Sequence, residues 1–225
     1  MSGLCQCFKA DTLAKSEGFD GLVGHRMAQD MKFQCACGAL SGVVEAAGPK
    51  TGHHVACYCK DCRAFVRHLR QDARFPDAAG GTDLFQTSPA RVKLTEGVEH
   101  LASLRLSPKG LYRWYASCCD TPLFNTGTGP GLPFASAMTA NFVDGVAGLG
   151  PVKARVNTGS ALGKVPPPKG FWPTLRAVGG LIGSLLAARL RGDQKRSPFF
   201  DAESGEPVAK ARVLTLEERQ AANRP

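Results

Sequence analysis

The spacing of the cysteines constrains this chain more than any other feature of its sequence. Seven of the nine cysteines fall into three tight groups, which read Cys35-Ala36-Cys37-Gly38, Cys57-Tyr58-Cys59-Lys60-Asp61-Cys62 and Cys118-Cys119. Thiols this close in sequence are poorly placed for pairwise disulfides but well placed to converge on a metal ion. Zinc takes about four ligands in a tetrahedron and readily accepts thiolate. The sequence therefore predicts a zinc-binding protein.

The N-terminal residues and the odd cysteine count indicate the redox compartment in which the protein is expected. Residues 1–26 carry several charged side chains and lack the apolar core of a secretory signal. We therefore expect a reducing, cytoplasmic compartment, in which cysteines remain thiols or metal ligands. Cys5 and Cys7 repeat the C-x-C spacing without a following glycine, and we interpret them as bystanders.

The pattern of short apolar runs between turns predicts a mainly β fold. The chain has 26 glycines and 15 prolines, a composition that favours turn-rich β structure over a helical bundle. Residues 101–106 and 111–115 flank Ser107-Pro108-Lys109-Gly110, which suits a type I hairpin turn. Residues 60–69 form a short predicted helix. Because strands do not alternate with long helices, a parallel α/β sheet is not expected.

Composition along the chain suggests four regions. We predict a leader at residues 1–30, a zinc-binding domain at 31–144, a Gly/Pro-rich arm at 145–173 and a helical extension at 174–225. The extension begins with an apolar helix over 174–190, which has three interpretations: packing on the protein's own sheet, a homodimer contact, or contact with a membrane surface. It ends in a second helix, where Thr215 and Glu218 form a predicted capping box.

The net charge of +9 is concentrated in one stretch. Between Lys153 and Arg196 basic residues greatly outnumber the single acidic residue, Asp193. Such a stretch is either a solvated surface or a contact for phosphate or anionic lipid. Aromatic residues do not interleave with the basic ones as in nucleic-acid-binding motifs, so nucleic acid is not an expected partner.

The middle cysteine group has the geometry of an open metal site. Cys57 and Cys59 point the same way from an extended segment, and Cys62 lies one helical turn beyond Cys59. Three thiolates can then face one point and leave a fourth position free, which is typical of a catalytic zinc. A second structural site, completed by Cys118 or a histidine, is the alternative. His53 and His54 could supply a fourth ligand or an acid/base group. Strand neighbours face opposite ways, so at most one can face the site, and we expect a surface role for each.

The outer cysteine groups are expected to form a structural site. Cys35 and Cys37 would join Cys118 and Cys119, linking the first strand to one some 80 residues later. Adjacent residues on a strand point apart, so both late cysteines can contribute only if they lie on a turn.

These motifs resemble the glutathione-dependent formaldehyde-activating enzyme family, also called the centromere protein V-like family. The resemblance covers roughly Phe33 to Phe142 and includes C-x-C-G, C-x-C-x-x-C, and an aromatic strand ending in cysteine, Thr and Pro-Leu. It implies an Mss4-like fold of antiparallel sheets with a structural zinc on the outer groups. It also implies a second zinc on the middle group, which handles glutathione and its formaldehyde adduct, S-hydroxymethylglutathione.

The chain departs from the family pattern at several positions. Tyr58 stands where the family has histidine, Ala116 where it has the first late cysteine, and Asp120 where it has glycine. The family's Leu-Asp motif after the last strand is matched only loosely in this chain.

Two interpretations of the function follow. One is a zinc-dependent carbon–sulfur lyase with Cys57, Cys59 and Cys62 at its catalytic site, and with Lys60 and Arg63 binding the carboxylates of a small thiol substrate. The other is a zinc-stapled binding module that acts through its basic extension.

Overall fold

The computed structural model describes residues 28–166 and 171–224, without the side chains of 171–174 and 176–178. Most of the predicted leader, with Cys5 and Cys7, lies outside the described residues. Its last part does not: Gln29 and Asp30 already belong to the first strand.

The described residues form a mainly β structure with three α-helices, which confirms the expected fold class at this level. The strands are β1 (Gln29–Gln34), β2 (Ser41–Ala47), β3 (His53–Cys57), β4 (Thr82–Thr87), β5 (Val92–Glu96), β6 (Leu101–Arg105), β7 (Tyr112–Ala116), β8 (Thr121–Thr126), β9 (Ala135–Met138), β10 (Ala154–Val156) and β11 (Arg212–Val213). The helices are α1 (Lys60–His68), α2 (Phe171–Leu190) and α3 (Leu216–Asn223).

The strands form two sheets that pack face to face. The small sheet has the order β1-β2-β5, and the large sheet has the order β10-β3-β4-β9-β8-β7-β6-β11. Aromatic side chains fill the space between them: the rings of Phe33 and Phe124 meet edge to face at 5.0 Å, and Trp114 lies 5.1 Å from Phe199. Burial of each such ring contributes roughly 1.5–3 kcal/mol. The buried Trp114 indole donates to the Thr126 hydroxyl at 2.9 Å, so it is not left unpaired.

The other face of the large sheet is covered by α1 and α3. Side chains alternate along each strand, so Leu84 faces the helices while Phe85 faces the small sheet. The same alternation turns Trp114 toward the small sheet and Arg113 toward Phe65 of α1. The molecule therefore has two apolar layers, and α1 carries Cys62, with Cys59 at its N-cap, into the second one.

The residues after 144 complete the large sheet. Strand β10 pairs with β3 and β11 pairs with β6, both in parallel, whereas the pairs between them are antiparallel. The expectation of antiparallel sheets thus fails at the two edges. The reason is that both edge strands arrive after long crossovers, which parallel pairing requires. The predicted Gly/Pro-rich arm contains β10, and Phe199 of the extension is fully buried between the sheets.

Three local predictions made from the sequence are confirmed. The helix predicted at 60–69 is α1, and the hairpin turn forms with the Gly110 N–H donating to the Ser107 carbonyl at 2.9 Å. Thr215 caps α3 in a complete capping box with Glu218. These features depend on a few adjacent residues, which is why the pattern alone identifies them.

Helix α2 contacts the rest of its own chain along one side, and the homodimer and membrane-surface interpretations stay predictions. Ala188 is buried, and the Ser184 hydroxyl lies 3.2 Å from Nε2 of His53. Just beyond the helix, the buried Asp193 carboxylate accepts hydrogen bonds from Ser88 and Arg191. Ile182 and Leu186 on the outer side stay more than half exposed. Among the described residues, no helix is both long and apolar enough to span a membrane.

Candidate metal centres

The first and third cysteine groups meet at one end of the two sheets. Cys35 and Cys37 lie on the turn between β1 and β2, and Cys118 and Cys119 lie on the turn between β7 and β8. The Sγ atom of Cys118 is 3.7 Å from that of Cys35, 3.4 Å from that of Cys37 and 3.8 Å from that of Cys119. All four sulfur atoms lie within 4.8 Å of one another, so this outer group can hold a metal ion.

The distances in the outer group suit tetrahedral coordination. With metal–sulfur bonds of about 2.3 Å, the edge of a thiolate tetrahedron is about 3.8 Å. A disulfide would need sulfur atoms about 2.05 Å apart, well below any separation found here. The outer group therefore fits a four-thiolate metal site, and it joins a hairpin of the small sheet to a hairpin of the large one.

The first turn is shaped by hydrogen bonds that orient Cys35. Gly38 has a φ of +78°, a conformation that costs glycine little, and its N–H donates to the Cys35 carbonyl at 3.0 Å. The Leu40 N–H donates to the Cys35 sulfur at 3.3 Å. The Ala36 N–H donates to the Thr121 hydroxyl at 3.0 Å, which ties this turn to the second hairpin.

The second turn explains how two adjacent cysteines serve one site. Strand β7 ends at the buried Ala116, so both cysteines lie on a turn, as the sequence required. Asp120 takes a left-handed φ of +51°, and it lets the chain reverse. Cys118 thus approaches Cys35 and Cys37 although Ala116 occupies the position of the family's first late cysteine.

The thiols on the second turn differ in acidity. Burial opposes ionisation of Cys119, but the Thr121 hydroxyl and the backbone at Cys37 outweigh it and lower its pKa to about 6. Burial raises the pKa of Cys118, and its neighbour Cys37 raises it further. One thiol of this pair is therefore ready to ionise before the other, a difference that a bound cation would override.

The middle group forms a second, separate cluster. Cys57 ends β3, Cys59 is the N-cap of α1, and Cys62 lies in the first turn of α1. The Sγ atoms of Cys57 and Cys62 are 3.7 Å apart, and all three sulfurs lie within 4.8 Å of one another. The Cys62 N–H donates to the Cys59 sulfur at 3.3 Å, so the helix N-terminus orients this thiol. The middle group also fits a metal ion, with three protein ligands.

Two polar side chains that the sequence analysis did not identify contact this middle group. The Arg113 guanidinium, only 3% exposed, places Nη1 3.7 Å from the Cys62 sulfur and 2.8 Å from Oδ1 of Asn125. Asn157, which follows β10, places its amide nitrogen 3.5 Å from the Cys57 sulfur. A charged residue inside the aromatic run Tyr112-Arg113-Trp114-Tyr115 was a usable signal for Arg113, whereas nothing local identifies Asn157.

Arg113 has no carboxylate partner among the residues that the structure describes. Its Nε atom is buried and, in the same part of the chain, makes no hydrogen bond. A buried guanidinium stays charged and is costly without an anion. The sulfur of Cys62 is the adjacent group that can supply the negative charge.

Hydrogen bonding divides the charge unequally within the middle group. Hydrogen bonds from Cys59 and then Cys62 lower the pKa of the Cys57 thiol, against the effect of burial. The contacts of Cys62 with Cys57 and then with Cys59 raise the pKa of the Cys62 thiol, and burial raises it further while Arg113 lowers it. In the absence of a cation the first ionised sulfur is thus Cys57, and a metal ion would be needed to ionise all three.

Neither histidine joins a cysteine group. His53 faces α2, and His54 is buried rather than on the surface, which corrects the expectation of a surface role for His54. The His54 Nε2 atom lies 2.8 Å from the Asp83 carboxylate, and Nδ1 lies 2.7 Å from the Gly150 carbonyl. Both neighbours are acceptors, so the ring satisfies both only when it carries two protons.

We expect His54 to make stability depend on pH. Burial alone would lower its pKa, but the hydrogen bonds to Asp83 and Gly150 raise it above the ordinary value of 6.5. A raised folded-state pKa contributes stability that is complete below pH 6.5 and is lost as pH rises through the folded value. Urea unfolding of the protein and of His54→Gln across this range should show a difference that shrinks with rising pH. A difference independent of pH, or one that His100→Gln reproduces, would contradict this assignment.

The comparisons with known proteins give a family but no activity. A family model described as "Family of unknown function (DUF6151)" matches residues 27–212. A crystal structure of a Rhodobacter sphaeroides protein, solved as a structural genomics target, is similar over 56% of this chain and all of that chain, with 18% identity and a TM-score of 0.39. No curated protein matches the chain at a significant level.

Proposed function

The chain belongs to a family of unknown function, DUF6151, and we propose from the chemistry of its cysteine groups that it is a zinc-dependent enzyme acting on a small thiol adduct. The outer group is the structural zinc site and the middle group is the reactive one. The observation that carries the proposal is the middle group itself: Cys57, Cys59 and Cys62 converge as three ligands. Three protein ligands with a free position are typical of a catalytic zinc.

The reaction class follows from what such a site favours. A zinc ion held by the three thiolates supplies a Lewis acid that stabilises the thiolate form of an incoming thiol. The proposed reaction interconverts a thiol and an aldehyde with their thiohemiacetal, such as S-hydroxymethylglutathione. In the cleavage direction the carbon–sulfur bond breaks with its electron pair on sulfur, the hydroxyl proton is transferred to that sulfur through solvent, and aldehyde and thiol are released. No oxidant or reductant is needed.

The surrounding residues have complementary roles in this proposal. Cys59 is the least buried of the three thiols, so substrate approaches from its side. Arg113 balances the net negative charge that a divalent ion with three thiolates carries. Asn157 orients the Cys57 sulfur through its amide. The proposal extends to an Mss4-like fold and, because the thiols must stay reduced, to a cytoplasmic location.

A second candidate function rests on the burial of the site. Cys57 and Cys62 are 7% and 4% exposed, which would equally suit a structural ion. In that case the protein is a zinc-stapled binding module, and its contact surface is the basic extension with the exposed apolar side of α2. A second copy of the chain is the proposed partner, through the helix predicted at 174–190.

Metal content separates the two candidates. We expect two zinc ions per chain in the wild type and one in Cys59→Ser, with Asp61→Asn on the same helix as the matched control. Glutathione should bind the wild type in calorimetry and should not bind Cys59→Ser, because the mutation removes one of the three ligands. With formaldehyde and glutathione present, adduct formation followed by NMR should accelerate only when the middle site is loaded. A second zinc that is indifferent to glutathione would instead support the binding module.

A further inference from the structure

A basic cleft lies between α1 and α3, outside both cysteine groups. Its volume is about 400 Å³, within the range of small-molecule sites. The cleft is lined by five cationic side chains, those of Lys60, Arg63, Arg67, Arg219 and Arg224, and by one carboxylate, that of Asp61. The cleft therefore has a strong excess of positive charge.

Helix geometry concentrates these cations on facing surfaces. Lys60, Arg63 and Arg67 recur at helical spacing along one side of α1. Arg219 comes from α3, and Arg224 directly follows that helix. The two helices are connected by a bridging side chain: Nη2 of Arg212 lies 2.8 Å from His68, and its Nη1 lies 2.6 Å from Glu218. The cations are thus held at the cleft by packed elements rather than by a loose tail.

Most of these cations lack an anionic partner. Arg67 pairs with Asp72 at 3.2 Å, and Arg63 donates to the Tyr58 carbonyl at 2.9 Å. Within residues 28–166 and 171–224, the side chains of Lys60, Arg63, Arg219 and Arg224 make no ion pair with a carboxylate. Arg63 and Arg219 are also half-buried, so part of their hydration is lost and no carboxylate replaces it within the described residues.

The wall of the cleft beside Arg63 is closely built. Gly80 has a φ of +76°, which favours glycine, and a Cβ atom there would lie 2.8 Å from Cδ of Arg63 and 3.1 Å from Cδ1 of Leu162. The loop that carries Gly80 is held by Asp77, whose carboxylate accepts the N–H groups of Ala79 and Gly81, each at 2.8 Å. This packing and the hydrogen bond to Tyr58 limit the conformations open to the Arg63 side chain.

We propose that this cleft binds a small molecule carrying phosphate groups. A phosphate monoester brings about −1.5 to −2 charges at neutral pH, and its oxygens match the forked donors of arginine. A tripeptide thiol with two carboxylates and an ammonium brings only one net negative charge, too few for four unpaired cations. The N-terminal end of α1, which begins at Lys60, adds further positive potential at the cleft.

The test is direct binding, which does not depend on the reaction proposed at the cysteines. Fructose 1,6-bisphosphate is a suitable probe because it presents two phosphate monoesters, and adipate presents two carboxylates at a similar span. Calorimetry on the full chain at constant ionic strength should show 1:1 binding of the bisphosphate and at least tenfold weaker binding of adipate. We expect Arg219→Gln and Lys60→Gln each to weaken the bisphosphate about tenfold, the loss of one charge-assisted contact.

Lys109→Gln is the matched control, because Lys109 is an exposed cation on the β6–β7 turn, away from the cleft. Its affinity for the bisphosphate should stay within about twofold of the wild type. An equal loss in Lys109→Gln would mean that diffuse surface charge is responsible and would overturn the assignment. Equal or tighter binding of adipate or glutathione in the cleft would overturn the phosphate class, and the absence of 1:1 binding would overturn the site. Lys60 is exposed, so its variant keeps the test valid even if Arg219→Gln fails to fold.

Discussion

Cys35→Ser is expected to cost the chain one metal ion and to lower its free energy of unfolding by more than about 4 kcal/mol, the range in which loss of a metal site belongs. Cys35 is 1% exposed and lies 3.5 Å from Cys37 and 3.7 Å from Cys118, so its sulfur belongs to the four-thiolate cluster. The cluster is the connection between a hairpin of each sheet. Without the ion, both turns lose the constraint that orders them, because the binding free energy of a structural metal is also folding free energy.

Urea unfolding with metal analysis of the same samples measures both effects. Ser117→Ala, on the same turn as Cys118, is the control and should retain both metals and nearly all the stability. Chelator added to the wild type should lower its stability at least to that of Cys35→Ser, because it also removes the ion of the middle group. A stable Cys35→Ser variant with unchanged metal content would show that the outer group holds no structural ion.

Arg113→Met is expected to weaken metal binding at the middle group by about 10- to 100-fold, the usual effect of removing a residue that supports the ligands. The guanidinium is buried 3.7 Å from the Cys62 sulfur and has no carboxylate partner in the described part of the chain. If the three cysteines are ionised around a divalent ion, removal of the guanidinium leaves a buried negative charge uncompensated. Breaking a buried charge pair in this way typically lowers the free energy of unfolding by about 3–5 kcal/mol.

Competition with a chromophoric chelator measures the affinity of each site separately. Arg105→Met is the comparison, because Arg105 also lies over an aromatic ring, that of Tyr112 at 4.8 Å, but makes no contact with a cysteine. The opposite result is equally informative. If Cys62 were a neutral thiol, replacing a buried cation by methionine would leave metal content unchanged and would stabilise the fold.

The sequence predicts the local parts of this structure well. The cysteine spacings anticipated both clusters, and the caps and turns at Thr215 and Pro108 were identified because each depends on neighbouring residues. The turn that brings Cys118 and Cys119 together could be stated only as a requirement. Its formation depends on where β7 ends and on the left-handed conformation of Asp120, which the sequence pattern does not specify.

The remaining features arise from contacts between distant parts of the chain. The pairing of β10 with β3 brings Asn157 to Cys57 across 100 residues, and no periodicity near either residue indicates it. The burial of Arg113 depends on α1 packing over β7. The cationic cleft requires α1 and α3 to be neighbours, although they are separated by most of the chain. Such placements follow from tertiary packing rather than from residue type.

The parallel edge strands have a consequence during synthesis. All seven grouped cysteines leave the ribosome before β10 and β11, and at ordinary elongation rates the 95 residues from Cys119 to Leu214 take roughly 5 to 20 s. During that interval the nascent chain can already capture metal on its early hairpins, while both borders of the large sheet remain open to pairing with other chains. The supply of metal during synthesis and the protection of these open edges by chaperones would therefore determine what fraction of the newly made protein avoids aggregation. A chain that ends near residue 144 would keep both edges of the large sheet open permanently.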